Sequence, residues 1–338
     1  MTYVGIACHT LLTSDTIVGR WIHVANYSAL EISGSFTSMD TFLPDNIKPF
    51  SRWLTSSLSG LLLACALFLS VGVNVAHASA RTPQMRADGI TALRTEALNL
   101  QQQLWQKATT WSSQHTYYDG YNNTTYNLGY EYVAIADYPT QNLLNSAQSS
   151  ADYHYIIGQL NGWLADFQAY TTNFNDPTPY NQVHATDMQL IQQNGDASTQ
   201  VIVISLAEQA MRIYRQSKLV NTFQIVTGMP GHASLPGSWW IESKLTNITF
   251  TSGKQPGEEG YYPPTPIAYA MQYHSSGYFI HQSWWRSQYG PGKQFPHLDL
   301  HGTLFANGGS HGCVNMSTDN VQWLYNFVQV NATKILIY

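Results

Sequence analysis

The sequence predicts an α+β protein: an N-terminal α-helical bundle or hairpin, then a mostly β domain that keeps a single helix near its end. Three observations carry this. From about Asp88 to Gln193 apolar side chains recur at three- and four-residue steps. From Gln200 onward, short β-branched runs alternate with turn signals. Near the C-terminus, Val321, Leu324, Tyr325 and Val328 return to helical spacing behind a Ser317 or Thr318 cap.

Residues 1–80 read as an N-terminal extension ending in an export signal. Lys48 and Arg52 precede the apolar run Leu61–Leu69, within an h-region of about 54–75, and Ala76-His77-Ala78 supplies small residues for cleavage near Ala78 or Ala80. The expected product is exported and extracytoplasmic, either secreted or held by an N-terminal membrane anchor. Met39 would give a conventional short n-region, which makes residues 1–38 a candidate misassigned start. Gly72 and Asn74 make a poor spanning helix, and the apolar residues after Cys65 argue against a lipidated cysteine.

Residues 81–198 form the expected helical domain. Leu93, Ala97, Leu100, Leu104 and Trp105 mark one helix, and Tyr153, Ile156, Ile157, Leu160, Trp163, Leu164 and Phe167 a second. Tyr117–Tyr138, rich in Tyr, Asn and Gly, reads as a loop, and Tyr180–Gln193 as a third helix stopped by Asn194-Gly195. His115, His154 and His184 read as scattered surface or core histidines and are assigned no role.

Residues 199–338 form the expected catalytic domain. Gln200–Ser205, Met211–Tyr214 and Phe223–Val226 suggest an antiparallel meander, with later strands at Trp239–Ile241, Ala268–Tyr273, Tyr278–His281 and Ile335–Tyr338. Charged residues make up only 10% of the chain, and the net charge of −5 offers no basic face, which excludes a nucleic-acid partner.

The chemistry concentrates at Ser310-His311-Gly312-Cys313-Val314-Asn315. Cys313 is the only cysteine downstream of the export signal, on a loop just before a helix whose N-terminus favours a thiolate. Gly308-Gly309-Ser310-His311-Gly312 also matches the G-x-S-x-G of serine hydrolases, but no histidine follows His311 to complete that order. His281, His297, His301, His311 and Cys313 crowd together without any paired zinc-ligand spacing, so no metal and no cofactor is expected. What remains is a cysteine nucleophile with a histidine base, and backbone N–H groups around Gly312 and Cys313 to hold an oxyanion.

Tyr278-Phe279-Ile280-His281-Gln282-Ser283-Trp284-Trp285, Gly290-Pro291-Gly292, Phe295-Pro296-His297-Leu298-Asp299 and Gly309–Asn315 together resemble the catalytic domain of the L,D-transpeptidases, the YkuD-type enzymes that cross-link peptidoglycan. The resemblance covers roughly Thr199–Tyr338, with Leu235-Pro236-Gly237 where the family usually has Thr-Pro-x-Gly. It implies that Cys313 is the nucleophile and that His281, at a strand end 32 residues upstream, is the base in preference to His301, 12 residues upstream. It further implies that Ser310, His311, Gly312 and Asn315 shape the site, with Trp284 as a lid aromatic over the substrate. The implied reaction forms 3-3 cross-links between peptidoglycan stem peptides through a cysteine thioester, and carbapenem-type β-lactams are the implied inhibitors. An L,D-carboxypeptidase, a wall-anchoring acyltransferase and a non-catalytic wall-binding protein remain the alternatives.

Overall fold

The computed structural model describes residues 83–338 apart from 259, 303, 306 and 307. The export signal, its h-region, Met39, Cys8 and Cys65 lie outside the described residues. Among the described residues, no helix is long and apolar enough to cross a membrane.

The helical segment comprises α1 (Pro83–Gln114), β1 (Thr116–Asp119), β2 (Thr124–Asn127), α2 (Tyr130–Ala136), α3 (Tyr138–Ser146), α4 (Ser150–Phe174) and α5 (Ala185–Gln193). The two long helices sit where the apolar stripes place them: Ala97 and Leu104 of α1 and Ile156, Leu160 and Phe167 of α4 are buried. Trp105 is an exception at 47% exposure, because one residue beyond Leu104 a helix has turned about 100° off the stripe. A capping box starts α4, with the Ser149 hydroxyl accepting from the Asp152 N–H and the Asp152 carboxylate accepting from the Ser149 N–H.

Tyr117–Tyr138 is not a loop. It folds as the β1–β2 hairpin, turned at Asn123 with φ 54°, and then as helix α2. Strands of four residues bordered by Asn and Gly carry turn chemistry along most of their length, which hides them from a composition reading. The third helix is also shorter than expected: α5 starts at Ala185, after the Pro177 and Pro179 stretch.

The second half holds β3 (Gln200–Ser205), β4 (Ala210–Arg215), β5 (Lys218–Gln224), β6 (Gly237–Trp240), β7 (Ser243–Phe250), β8 (Thr265–His274), β9 (Tyr278–Gln282), β10 (His297–Leu298), β11 (Leu304–Phe305), β12 (Val314–Met316), α6 (Thr318–Phe327) and β13 (Thr333–Ile337). One sheet has the order β5-β4-β3-β13-β6, a second the order β12-β9-β8-β7. The meander β3-β4-β5 is antiparallel as expected, but β13 joins β3 in parallel and β12 joins β9 in parallel, so both sheets are mixed. Strand β7 escaped the pattern reading because it is an edge strand with mostly half-exposed, polar positions.

Residues Arg86–Tyr338 fall within one compact unit, so helices and sheets share packing. Arg212 of β4, fully buried, donates to Asp187 of α5 (Nη2 to Oδ1, 3.0 Å) and to Glu208 (Nη1 to Oε2, 2.6 Å). The Tyr214 and Tyr338 hydroxyls donate to the same Asp187 carboxylate at 2.6 Å. His184 belongs here too. It is a buried core histidine, with Nδ1 3.0 Å from the Asn173 amide and Nε2 3.6 Å from Glu208.

Candidate active site

The parallel register of β9 and β12 builds the site. Asn315 lies opposite His281 and Val314 opposite Ile280, so Cys313 continues the ladder beside Phe279. Because side chains alternate across a sheet, Cys313, Asn315, Phe279 and His281 share one face. The packing agrees: Cys313 belongs to a small cluster with Phe250, Ile267, Ala270 and Phe279, and the His281 ring stands edge-on to Phe250 at 5.0 Å. Sulfur and imidazole are on one side of the fold, two residues apart along neighbouring strands, about 7 Å in the strand direction.

His281 is 4% exposed. Its Nδ1 lies 2.7 Å from the carbonyl oxygen of Gln282, which makes Nδ1 the protonated nitrogen and leaves Nε2 as the acceptor. Nε2 receives the Asn315 side-chain amide at 3.1 Å, and the Asn315 Oδ1 accepts from Arg286 Nε at 2.9 Å. Asn315 therefore links the His281 ring to the Arg286 guanidinium. Burial, outweighing the opposing Gln282 bond and aided by the Arg286 charge, lowers the His281 pKa to about 4. At neutral pH the ring is uncharged and can take a proton.

The cysteine sits on a tightly tied loop. Ser310 donates its N–H to Thr227 O at 2.9 Å, and Ser310 O accepts from Met229 N at 3.0 Å. The Ser234 hydroxyl donates to Gly312 O at 2.8 Å. Gly312 has φ 111°, and a Cβ there would lie 2.9 Å from the Tyr278 ring, so this position takes only glycine without strain. Its N–H, expected to face an oxyanion, instead donates to Ser310 Oγ at 3.0 Å, because a Ser two residues upstream in a tight turn competes for that amide.

Cys313 is 1% exposed, with its sulfur 3.8 Å from Gly277 O. The sulfur is disulfide-bonded in this structure. The reactive species considered below is the reduced thiol.

His301 is exposed and sits in a turn, and His297 Nδ1 is turned to Phe295 O at 2.8 Å. Of the adjacent tryptophans, Trp285 lies 6.2 Å from the His281 ring and packs on the cysteine cluster. Trp284 is 56% exposed, donates to Pro266 O and packs edge-on against Trp285 at 5.6 Å. Arg286 went unnoticed in the sequence, where one arginine after two tryptophans carries no spacing signal. Among the described residues, no group of three or more His, Cys, Asp or Glu is arranged to hold a metal ion.

A mixed-sheet domain with a histidine and a cysteine on neighbouring parallel strands defines the class. Residues 199–337 match the L,D-transpeptidase catalytic domain family YkuD. No curated protein matches the chain. Among solved structures, a mutant L,D-transpeptidase of Enterococcus faecium is 25% identical over 41% of this chain and 50% of that one, with TM-score 0.34. The catalytic domain of the E. faecium enzyme acylated by ertapenem is 26% identical over 42% of this chain and 98% of that one, with TM-score 0.33. A complex of L,D-transpeptidase LdtMt1 with imipenem is 23% identical over 41% and 59%, with TM-score 0.34. The chain covers about half the length of the first of these.

Proposed function

We propose that the protein is an exported L,D-transpeptidase that forms 3-3 cross-links in peptidoglycan, with Cys313 as nucleophile and His281 as base. The observation that carries this reading is the placement of Cys313 and His281 on one face of the β9–β12 pair, inside a domain of that family.

His281 Nε2 takes the thiol proton, which requires the Asn315 amide to give up its place on that nitrogen. The thiolate attacks the carbonyl carbon of the third stem residue. The C–N bond to the terminal D-alanine breaks, D-alanine leaves with the proton, and a thioester remains. The side-chain amine of a second stem then attacks the thioester, the C–S bond breaks, and an amide and the free thiol result. Ser310, His311 and Gly312 shape the loop that presents the sulfur. The ertapenem and imipenem structures of the relatives support carbapenems as acylating inhibitors here.

The test uses purified tetrapeptide muropeptides and reduced protein. Mass spectrometry of the products should show dimers joined through third-position residues, with D-alanine released, and Cys313→Ala should form none. Tripeptide alone would identify a carboxypeptidase, and dimers formed by Cys313→Ala would remove the nucleophile.

A further inference from the structure

A cavity of about 210 Å³ lies between α2–α3 and the strip Gly231–Pro236. The helices contribute Glu131, Ala134, Ile135 and Asp137 to its lining. The catalytic domain contributes Leu235 and, beside the nucleophile loop, Tyr278 and His311. Ser234, also in the lining, is the residue whose hydroxyl holds Gly312 O, so this wall is continuous with the loop that carries Cys313.

Glu131 is the unusual group. It is 2% exposed, and its Oε2 is buried with no hydrogen-bond partner. A buried carboxyl oxygen left without a donor is costly, and such orphans in a folded protein call for an explanation such as an absent ligand. Asp137, at an exposed position of the same lining, adds a second carboxylate. Ala134, Ile135 and Leu235 supply apolar wall between the charged groups.

We propose that this cavity binds a primary ammonium on an aliphatic stem, the free side-chain end of a peptidoglycan stem peptide held beside the nucleophile loop rather than the amine that attacks at Cys313. The inference rests on the transpeptidase reading for the identity of that amine. An ammonium brings three donors and positive charge to Glu131 and Asp137, while its methylene groups lie on the apolar wall. Burial lifts the Glu131 pKa to about 7, against the opposing backbone and Tyr130 hydrogen bonds, and a bound cation would favour its charged form. Glu131 and Asp137 lie outside residues 199–337, so this subsite belongs to the helical segment of this particular chain and not to the family domain.

Titration calorimetry of the reduced full chain with Nα-acetyl-lysine methylamide, and with its norleucine counterpart that lacks the ammonium, tests the site. The lysine compound should bind and the norleucine compound should not. Glu131→Gln should weaken binding about tenfold or more. Ala134→Phe, at an exposed helical position, should block the cavity without touching the carboxyl. Equal binding of the two compounds, no binding of either, or unchanged affinity in both folded variants overturns the subsite. A carbapenem adduct on wild-type Cys313 without amine binding would overturn the subsite alone. Amine binding without any adduct would overturn the transpeptidase reading and leave an amine site.

Discussion

Two buried arginines show how the same side chain serves opposite ends. Arg212 joins β4 to α5 through Asp187 and Glu208, and although burial disfavours its charge, the Asp187 bonds and the Tyr338 and Glu208 contacts outweigh it and raise its pKa. Arg286 is tied to the Asn315 amide, and burial pushes its pKa down to about 10 against a smaller opposing effect of Tyr289. A charge neutralised by carboxylates locks the fold. A charge held by a neutral amide keeps its field, and here that field falls on His281.

The comparison breaks most visibly at the site. His281→Ala should slow carbapenem acylation of Cys313 by about 10²–10⁴-fold in protein that remains folded at the assay temperature, since general-base assistance has that scale. Stopped-flow fluorescence alongside thermal melts would check both halves. A rate within a few fold of wild type would move the base elsewhere.

Asp187→Ala should act in the opposite sense, on stability first. Removing one member of a buried ion pair costs about 3–5 kcal/mol, more here if the Tyr214 and Tyr338 hydroxyls are also stranded. Urea unfolding should show the loss, and protein kept folded at low temperature should still acylate. Loss of acylation in a folded Asp187→Ala protein would mean that the lock also shapes the site.

Arg286→Gln sharpens the contrast through pH. His281 works as a base only when neutral, above its lowered pKa of about 4, so the acid limb of the acylation rate should lie well below pH 6. Removing the Arg286 charge raises that pKa and shifts the limb upward, while Gln can still donate to Asn315. The charged and titratable groups acting here are Arg286 itself, with Tyr289 beside it and His297 within its field. A limb that stays in place, measured from pH 3.5 to 7.5, would deny the electrostatic role.

The smallest effect belongs to the hairpin. Tyr117 and Tyr126 stack on Phe295 at 4.7 and 5.0 Å, bracing the segment between His281 and Cys313 from outside the family domain. Tyr117→Ala should cost about 0.5–1.5 kcal/mol beyond lost area and change acylation only modestly. Differential scanning fluorimetry would resolve it.

Long periodic helices and β-branched strands were legible in the sequence because burial writes itself as spacing. The Phe-Ile-His and Ser-His-Gly-Cys stretches singled out His281 and Cys313, and the structure sets both on one face of the β9–β12 pair. The parallel pairings of β12 with β9 and of β13 with β3 were not legible, since period-two alternation carries no strand direction. Nor were Arg286 and Glu131: their importance lies in what surrounds them, and an isolated charge in sequence looks like solvated surface. The engaged Gly312 N–H was hidden for a similar reason, because Ser310 turns back on it only in three dimensions.

The most direct measurement is intact and peptide mass spectrometry of the reduced protein after incubation with a carbapenem, beside Cys313→Ala. One adduct per chain, mapped to the peptide carrying Cys313 and absent from the variant, is the expected result. An adduct at another residue, or none on a reduced and folded chain, would contradict the assignment of that sulfur as the reacting atom.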